Sequence, residues 1–362
     1  MTNTTTKRVY NFSAGPATLP LPVLEEAQKD FVDFKGAGMS IIEMSHRSKD
    51  YDQVHQETQA AVKRLLNISD DYEVLFMTGG ASTQFALIPM NFCPTGVADY
   101  VNTGAWSGKA IKEAKIQGKT VKIAASSEDT NFNYIPDTFN FSDDASYVHI
   151  TSNNTIAGTQ YATFPTTKAP LMADMSSDIM SRVFDVSKFD LIYAGAQKNI
   201  GPAGVCLVII KKSLLATAAE GLPSMFDYKT HADKSSLYNT PPVFAIYLMG
   251  LVMKWLEAQG GVAAMEKVNK EKAGILYERI GRNDFYKATV KPGSQSLMNV
   301  TFRLGSEELE KKFIAEAAAE GLSGLKGHRS VGGCRASIYN AFPQDGVVKL
   351  VEFMDAFEKA NG

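Results

Sequence analysis

The sequence predicts an α/β protein, with a large domain built on a mainly parallel sheet and a smaller α+β domain after it. The chain has 362 residues, which is more than one hydrophobic core usually serves. From residue 73 short apolar runs alternate with helical stretches, a pattern typical of a parallel sheet covered on both faces. After residue 240 the pattern changes to a mixture of helices and isolated strands.

The elements of the large domain follow in order. Two amphipathic helices are predicted over 20–35, which opens with Pro20 and Pro22, and over 50–67. Strands are then predicted at seven apolar runs: 74–77, 98–101, 121–124, 147–150, 171–173, 191–194 and 205–210.

The smaller domain follows two helical patterns, 242–258 and 261–280, that meet at two glycines. Beyond them we predict a half-buried strand over 298–304, a helix over 306–320, a strand over 336–339 and a helix from 344. The predicted domains are 20–255 and 260–362, and residues 1–19 are expected to pack with the smaller one.

Composition and charge exclude several classes of protein. The 37 lysines and arginines against 39 aspartates and glutamates give a net charge of -2, which argues against a surface for nucleic acid or anionic lipid. The three cysteines, Cys93, Cys206 and Cys334, form no CxxC pair, so reduced thiols are expected, without a disulfide or a metal site. The first ten residues lack an apolar core, and the longest apolar run, 243–253, is too short to span a membrane. A cytoplasmic protein is therefore expected.

A lysine and an aspartate follow two successive predicted strands. Lys198 lies four residues beyond the run 191–194, and Asp174 ends the run LMAD. Open α/β sheets bind ligands at this edge. A desolvated lysine loses basicity, as a Schiff-base amine requires, and an aspartate here can hold the protonated ring nitrogen of pyridoxal phosphate. Taken singly, each residue also fits an ordinary turn.

A glycine turn and a tryptophan follow two other strands. In MTGGASTQF, residues 77–85, the amides and hydroxyls around Ala81 and Ser82 can hold a phosphate group. The turn matches neither GxGxxG nor a Walker loop, which favours a phosphate monoester over a nucleotide. Trp106 follows a strand at Gly104, where it can stack on a flat cofactor; packing in the core is the alternative.

Cationic residues lie near both ends of the chain: His46 and Arg47 in MSHRS, and His328, Arg329 and Arg335 in KGHRSVGGCRAS. Arginine forks suit carboxylates and phosphates, so these residues are candidates for binding a doubly anionic substrate. The alternative is a set of solvated surface charges.

The order of NFSAGPATLP, MSHRS, VLFMTGGASTQF, ADYVNTGAWS, YAGAQKNIGPAG, YNTPP and KGHRSVGGCRASIYNAFP resembles the phosphoserine aminotransferase family. These are class V pyridoxal-phosphate-dependent enzymes of the aspartate aminotransferase fold, fold type I. The resemblance runs from about residue 9 to the C-terminus. It implies amino transfer from L-glutamate to 3-phosphohydroxypyruvate, giving O-phospho-L-serine and 2-oxoglutarate in serine biosynthesis, in a homodimer with active sites at the subunit interface. Some members also act in pyridoxine biosynthesis.

The resemblance also implies roles for individual residues. Lys198 matches the Schiff-base lysine and Asp174 the partner of the ring nitrogen. The other cofactor contacts fall on Ala81, Ser82, Trp106, Thr155 and Gln197, with Asn239 and Thr240 reaching the cofactor phosphate of the other subunit. His46, Arg47, His328, Arg329 and Arg335 match positions that hold the substrate's anionic ends. Some members carry arginine where this chain has Ser82, so a role of this turn in binding the substrate phosphate does not carry over.

Two other readings stay open on the sequence. One keeps the cofactor but changes the reaction, either to a serine or alanine transaminase or to a cysteine desulfurase with Cys334 as its nucleophile. The other is a ligand-binding module on the same fold, which would perform no chemistry at Lys198.

Overall fold

The computed structural model describes residues 8–362. Its helices are α1 (Leu21–Lys29), α2 (Lys49–Leu66), α3 (Gly80–Phe92), α4 (Ala105–Ile116), α5 (Lys212–Leu215), α6 (Tyr228–Asp233), α7 (Val243–Ala258), α8 (Gly261–Ile280), α9 (Glu307–Ala319) and α10 (Gln344–Asn361). Its strands are β1 (Tyr10–Asn11), β2 (Tyr72–Met77), β3 (Val97–Asn102), β4 (Thr120–Ser126), β5 (Val148–Thr151), β6 (Asn153–Asn154), β7 (Thr159–Gln160), β8 (Leu171–Asp174), β9 (Leu191–Gly195), β10 (Cys206–Lys211), β11 (Lys287–Ala288), β12 (Asn299–Arg303), β13 (Leu322–Ser323) and β14 (Cys334–Ser337).

The central sheet has seven strands in the order β2-β10-β9-β8-β5-β3-β4. All its pairings are parallel except those of β10, which runs antiparallel to both β2 and β9. The predicted α/β class with a mainly parallel sheet is therefore confirmed.

Two cores cover the faces of this sheet, because alternate residues of each strand point to opposite sides. One core joins residues such as Phe76, Ala173 and Ile192 with α1, α2 and α7. The other joins residues such as Met77 and Met172 with α3 and α4. With both faces covered, ligands can reach the sheet only at its edges, which is where the candidate residues were predicted to lie.

The first helix is shorter than the predicted 20–35. It ends at Lys29, and the chain then turns through a short 3-10 helix in which Lys35 has a φ of 50°. The buried ring of Phe34 packs edge-on against Tyr247 of α7, with 5.5 Å between the ring centroids. This contact between distant parts of the chain replaces the last helical turns.

A third core lies beyond the central sheet. It packs the end of α8, α9 and α10 against β12 and β14, and it includes Phe12 from the N-terminal segment. β1 pairs in parallel with β13. Helix α8 contributes to two cores, with Val262 and Met265 in the first and Leu276 in the third. The division into domains 20–255 and 260–362 stays a prediction. None of the helices within residues 8–362 is long and apolar enough to cross a membrane.

A buried histidine lies inside the central sheet. Nε2 of His149 is 2.8 Å from the hydroxyl of Tyr193, and Nδ1 has no partner among the described residues. Burial lowers the pKa of His149 from its ordinary 6.5 to about 3. The folded protein therefore holds this imidazole neutral.

This histidine should make the fold sensitive to acid. Between pH 6.5 and about 3 the unfolded chain binds a proton at His149 that the folded chain does not, so the stability contribution is complete above pH 6.5 and is lost as the pH falls. We expect the unfolding free energy of the wild-type apoprotein to fall more steeply than that of His149→Phe, by up to about 1.4 kcal/mol per pH unit. Denaturant unfolding at a series of pH values measures both slopes. Equal slopes would show that His149 does not titrate in this way.

Candidate active site

The sheet brings the predicted lysine and aspartate to one edge. Asp174 is the last residue of β8, and Lys198 is the third residue after the end of β9. These two strands are parallel neighbours, with Asp174 opposite Tyr193. The carboxyl ends of both strands therefore open on the same side, and the side chains lie close enough for each charge to shift the other group's pKa.

The carboxylate of Asp174 is buried and oriented by a serine. It is 5 % exposed, and Oδ1 accepts hydrogen bonds from the amide and the hydroxyl of Ser176 at 2.9 and 2.6 Å. Burial raises the pKa of Asp174, while Lys198 and the bonds from Ser176 act in the opposite direction. Ser176 Oγ also accepts a bond from the amide of Gly195 at 3.1 Å, which ties this carboxylate to the end of β9. A buried acid of this kind needs a cationic partner to stay ionised.

The amine of Lys198 lies between charged and aromatic neighbours. Burial lowers its pKa, Asp174 acts against this, and Arg335 lowers it further. Nζ is 5.1 Å from the centroid of the Trp106 ring. The adjacent Gln197 is held by its backbone carbonyl, which accepts a bond from the amide of Ala17 at 2.9 Å. A lysine with lowered basicity beside a flat ring suits a nucleophilic or proton-transferring role.

Trp106, Thr155 and Arg335 form a connected group next to the lysine. Nε1 of Trp106 donates to Oγ1 of Thr155 at 3.0 Å, and Nη1 of Arg335 donates to the carbonyl of Thr155 at 2.8 Å. Nε of Arg335 is buried and has no partner within residues 8–362. The guanidinium therefore has donor capacity left for an anion.

The glycine turn forms the start of α3. Gly79 and Gly80 have φ values of 83° and 60°, in the left-handed region that favours glycine. The turn places the amides of Ala81 and Ser82 in the first turn of a 13-residue helix, where backbone N–H groups lack intrahelical acceptors. Such a helix start attracts an anion through these amides and the helix dipole.

The structure leaves several predicted residues apart from this cluster. His46, Arg47, Asn239 and Thr240 have no hydrogen bond or ion pair to Lys198, Asp174 or Trp106 in the described part of the chain. Arg47, Asn239 and Thr240 are exposed. His328 is close enough to Arg335 and Arg329 for both to lower its pKa, although burial is the larger cause.

The sequence reasoning assigned no role to two residues beside the cluster. One is Ser176, whose amide and hydroxyl orient the carboxylate of Asp174. Lys109 lies with Nζ 4.2 Å from the centroid of the Trp106 ring. Its position three residues after Trp106 on a helix indicates this contact, because such residues share a face.

A cavity of about 570 Å³ borders the cationic side of this group. Its lining includes His328, Arg335, Arg303, Lys287 and Thr301, whereas Lys198, Asp174 and Trp106 do not line it. Arg335 therefore borders this cavity and also lies close enough to Lys198 to lower the pKa of its amine.

These residues fit pyridoxal phosphate. The buried carboxylate of Asp174 suits a protonated ring nitrogen, Trp106 offers a ring face, and the start of α3 suits a phosphate. Residues 9–350 match the family model described as Aminotransferase class-V. The chain belongs to the class-V aminotransferases.

Similar proteins indicate which members of this family the chain resembles. The phosphoserine aminotransferase of Desulfosudis oleivorans is 62% identical over 359 residues, covering 98% of this chain and 99% of that protein. The solved phosphoserine aminotransferase from Bacillus circulans subsp. alkalophilus has a TM-score of 0.96 at 52% identity, over 98% of this chain and 99% of that one. A pyridoxal-phosphate-bound enzyme of the same name from Trichomonas vaginalis has a TM-score of 0.92 at 40% identity, over 96% and 100%.

These findings confirm the predicted family, the fold type I architecture and a pyridoxal-phosphate-dependent transaminase. The roles of the individual site residues stay predictions.

Proposed function

We propose that this chain transfers the amino group of L-glutamate to 3-phosphohydroxypyruvate, with Lys198 as the catalytic amine. The observation that carries the proposal is the placement of Asp174 and Lys198 at and just beyond the ends of the neighbouring strands β8 and β9, with the Trp106 ring centroid 5.1 Å from the lysine amine. Membership among the phosphoserine aminotransferases supports the choice of substrates.

The cofactor would be held by groups of this chain. Pyridoxal phosphate, when bound, supplies an aldehyde that condenses with amines and a ring that accepts electrons. Asp174 would hold the ring nitrogen, Trp106 would stack on the ring, and Thr155 and Gln197 would contact it. Ala81 and Ser82 would bind the phosphate at the start of α3.

Lys198 would move the proton of the reaction. Burial lowers its pKa, which increases the fraction of neutral amine at a given pH, and a neutral amine can take a proton from the substrate Cα. The nearby charges of Asp174 and Arg335 act on it in opposite directions, so its basicity depends on how both are placed.

Arg335 would bind the carboxylate that both substrates carry next to the reacting carbon. The bond from Nη1 to the carbonyl of Thr155 orients the guanidinium, and Nε, which has no partner within residues 8–362, can donate to the carboxylate. His328 and Arg329 would bind the distal anion, which is a carboxylate in glutamate and a phosphate in the other substrate.

A homodimer would complete the site. Phe31, Val32, Met39 and Ile42 are large apolar residues that are 45–79% exposed, close in sequence to His46 and Arg47. Exposed apolar groups of this kind mark interaction surfaces. Through this contact His46, Arg47, Asn239 and Thr240 would reach the active site of the partner. The three free, buried cysteines fit a cytoplasmic protein.

Cys334 does not favour the desulfurase alternative. It lies within β14 and is 1 % exposed, and burial raises its pKa, whereas a desulfurase needs an accessible thiolate on a mobile loop.

The half-reaction tests the proposed function. We expect O-phospho-L-serine and L-glutamate to convert the yellow holoenzyme to the pyridoxamine form, because both present a distal anion to His328 and Arg329. L-serine and L-alanine should react at least about a hundredfold less efficiently, since they leave these cations unpaired. Stopped-flow absorbance measures the rates of conversion with these four amino acids. The same assay with 4-phosphohydroxy-L-threonine tests whether the enzyme also uses the substrate of pyridoxine biosynthesis. Equal rates with serine or alanine would contradict the assigned substrates.

A further inference from the structure

The loop 327–333 is part of the connection between β13 and β14 and carries His328 and Arg329. It closes on itself, because the amide of Gly327 donates to the carbonyl of Gly333 at 2.9 Å. Within it, the carbonyl of His328 accepts bonds from Val331 and Gly332 at 3.0 and 2.9 Å. Arg329, Ser330 and Val331 are exposed. So short a loop with an exposed tip has no apolar core of its own and needs contacts from outside to fix its shape.

An ion pair between Arg303 and Glu310, which lie on two other elements, supplies such contacts. Arg303 ends β12, and Glu310 lies in the first turn of α9. Nε of Arg303 donates to Oε1 of Glu310 at 2.6 Å. Each partner also reaches the loop: Nη1 of Arg303 donates to the carbonyl of Val331 at 2.8 Å, and Oε2 of Glu310 accepts from the amide of Gly333 at 3.2 Å.

The pair fits tightly against the loop. Glu310 is 5 % exposed, and Oε1 also accepts a bond from the amide of Leu304 at 3.3 Å. Gly333 has a φ of 71°, and a Cβ at this position would lie 2.6 Å from Cδ of Arg303. The Arg303 side chain therefore runs along the backbone of the loop. Because charged partners make strong hydrogen bonds, two positions in the C-terminal half of the loop, Val331 and Gly333, are held by groups outside it.

We propose that Arg303 and Glu310 are positioning residues that hold the loop 327–333 in its substrate-binding shape. They set the affinity for the distal anion of both substrates through His328 and Arg329, without contacting either substrate. This inference rests on the proposed function, in which His328 and Arg329 bind that anion.

Steady-state kinetics of the holoenzyme test the proposal. Glu310→Gln keeps the size of the side chain but weakens the bonds to Arg303 and Gly333. We expect KM for O-phospho-L-serine and for L-glutamate to rise by about ten- to a hundredfold, with kcat nearly unchanged, because binding is lost equally in ground and transition states. Glu307→Gln, an exposed change in the same turn of α9, is the matched control and should leave both constants unchanged.

Hydrogen exchange separates positioning from general stability. In Glu310→Gln holoenzyme the peptide covering 327–333 should exchange faster, while peptides of the central sheet keep their wild-type rates. The double variant Arg303→Met/Glu310→Met removes the ion pair without leaving a buried charge unpaired. It should fold and should show the same rise in KM. Faster exchange throughout the protein, or a lowered kcat with unchanged KM, would overturn the proposal.

Arg329→Met distinguishes a failure of the positioning role from a failure of the proposed function. If Arg329→Met raises KM and the Glu310 variants do not, the positioning role is wrong and the proposed function stands. If Arg329→Met leaves KM unchanged for both substrates, the proposed substrate contact is wrong and the positioning role falls with it.

Discussion

Lys198→Ala should abolish transamination while the protein still folds. The variant lacks the amine that would move the substrate proton, and positioned general acid–base catalysis contributes roughly 10²–10⁴-fold. It also lacks the amine that would bind the cofactor covalently, so we expect kcat to fall by at least about 10³-fold. Steady-state assays with L-glutamate and 3-phosphohydroxypyruvate measure the loss.

Lys188→Ala is a suitable control. Lys188 is exposed and lies just before β9, ten residues from Lys198. It should keep wild-type activity. The apoprotein melting temperatures of both variants should be at most a few degrees below that of the wild type. Burial lowers the pKa of Lys198 because it disfavours the charged amine in the folded state, so removing this amine should not destabilise the fold. Normal turnover by Lys198→Ala would refute the assigned role.

Asp174→Asn should lower kcat by roughly 10²–10³-fold, the loss typical of removing one electrostatic stabiliser of a transition state. An amide cannot keep the ring nitrogen protonated, so the ring would accept electrons less readily. Single-turnover absorbance with O-phospho-L-serine measures this step directly. Asp174→Glu should restore part of the rate because it returns the charge.

The same substitution should have the opposite effect on the apoprotein fold. Burial raises the pKa of Asp174, so the folded state binds a proton more tightly than the unfolded chain, and stability falls as the pH rises through this range. At neutral pH we therefore expect Asp174→Asn to unfold at the same or a higher denaturant concentration. The exposed Asp185→Asn is the control for activity. Unchanged single-turnover rates in Asp174→Asn would argue against a role at the ring nitrogen.

The central sheet could be predicted because each of its strands is a short apolar run with clear ends. Asp174 ends β8 and Gly195 ends β9, within one residue of the predicted limits. Local sequence carries this information because alternation and turn residues act over a few positions. The antiparallel direction of β10 and the early end of α1 depend on partners far along the chain, such as Tyr247 against Phe34, and short-range patterns do not contain them.

The candidate site likewise contains some residues that local sequence predicts and some contacts that depend on residues far along the chain. Lys198 and Asp174 could be proposed from the ends of strands, since neighbouring parallel strands open at the same edge. The bond from Arg335 to Thr155 joins residues 180 positions apart, and the bonds from Arg303 and Glu310 to the loop 327–333 also join separate elements. Such pairs follow from the packing of elements that are far apart in the sequence, so no motif indicates them.

Peptide mapping after borohydride reduction of the holoenzyme tests the central assignment most directly. Reduction fixes a cofactor that is bound through a lysine as a stable secondary amine, and mass spectrometry then locates the labelled residue. We expect one label per chain, on the peptide that contains Lys198. A label on Lys109, whose amine also lies over the Trp106 ring, or no label on any lysine, would contradict the assignment.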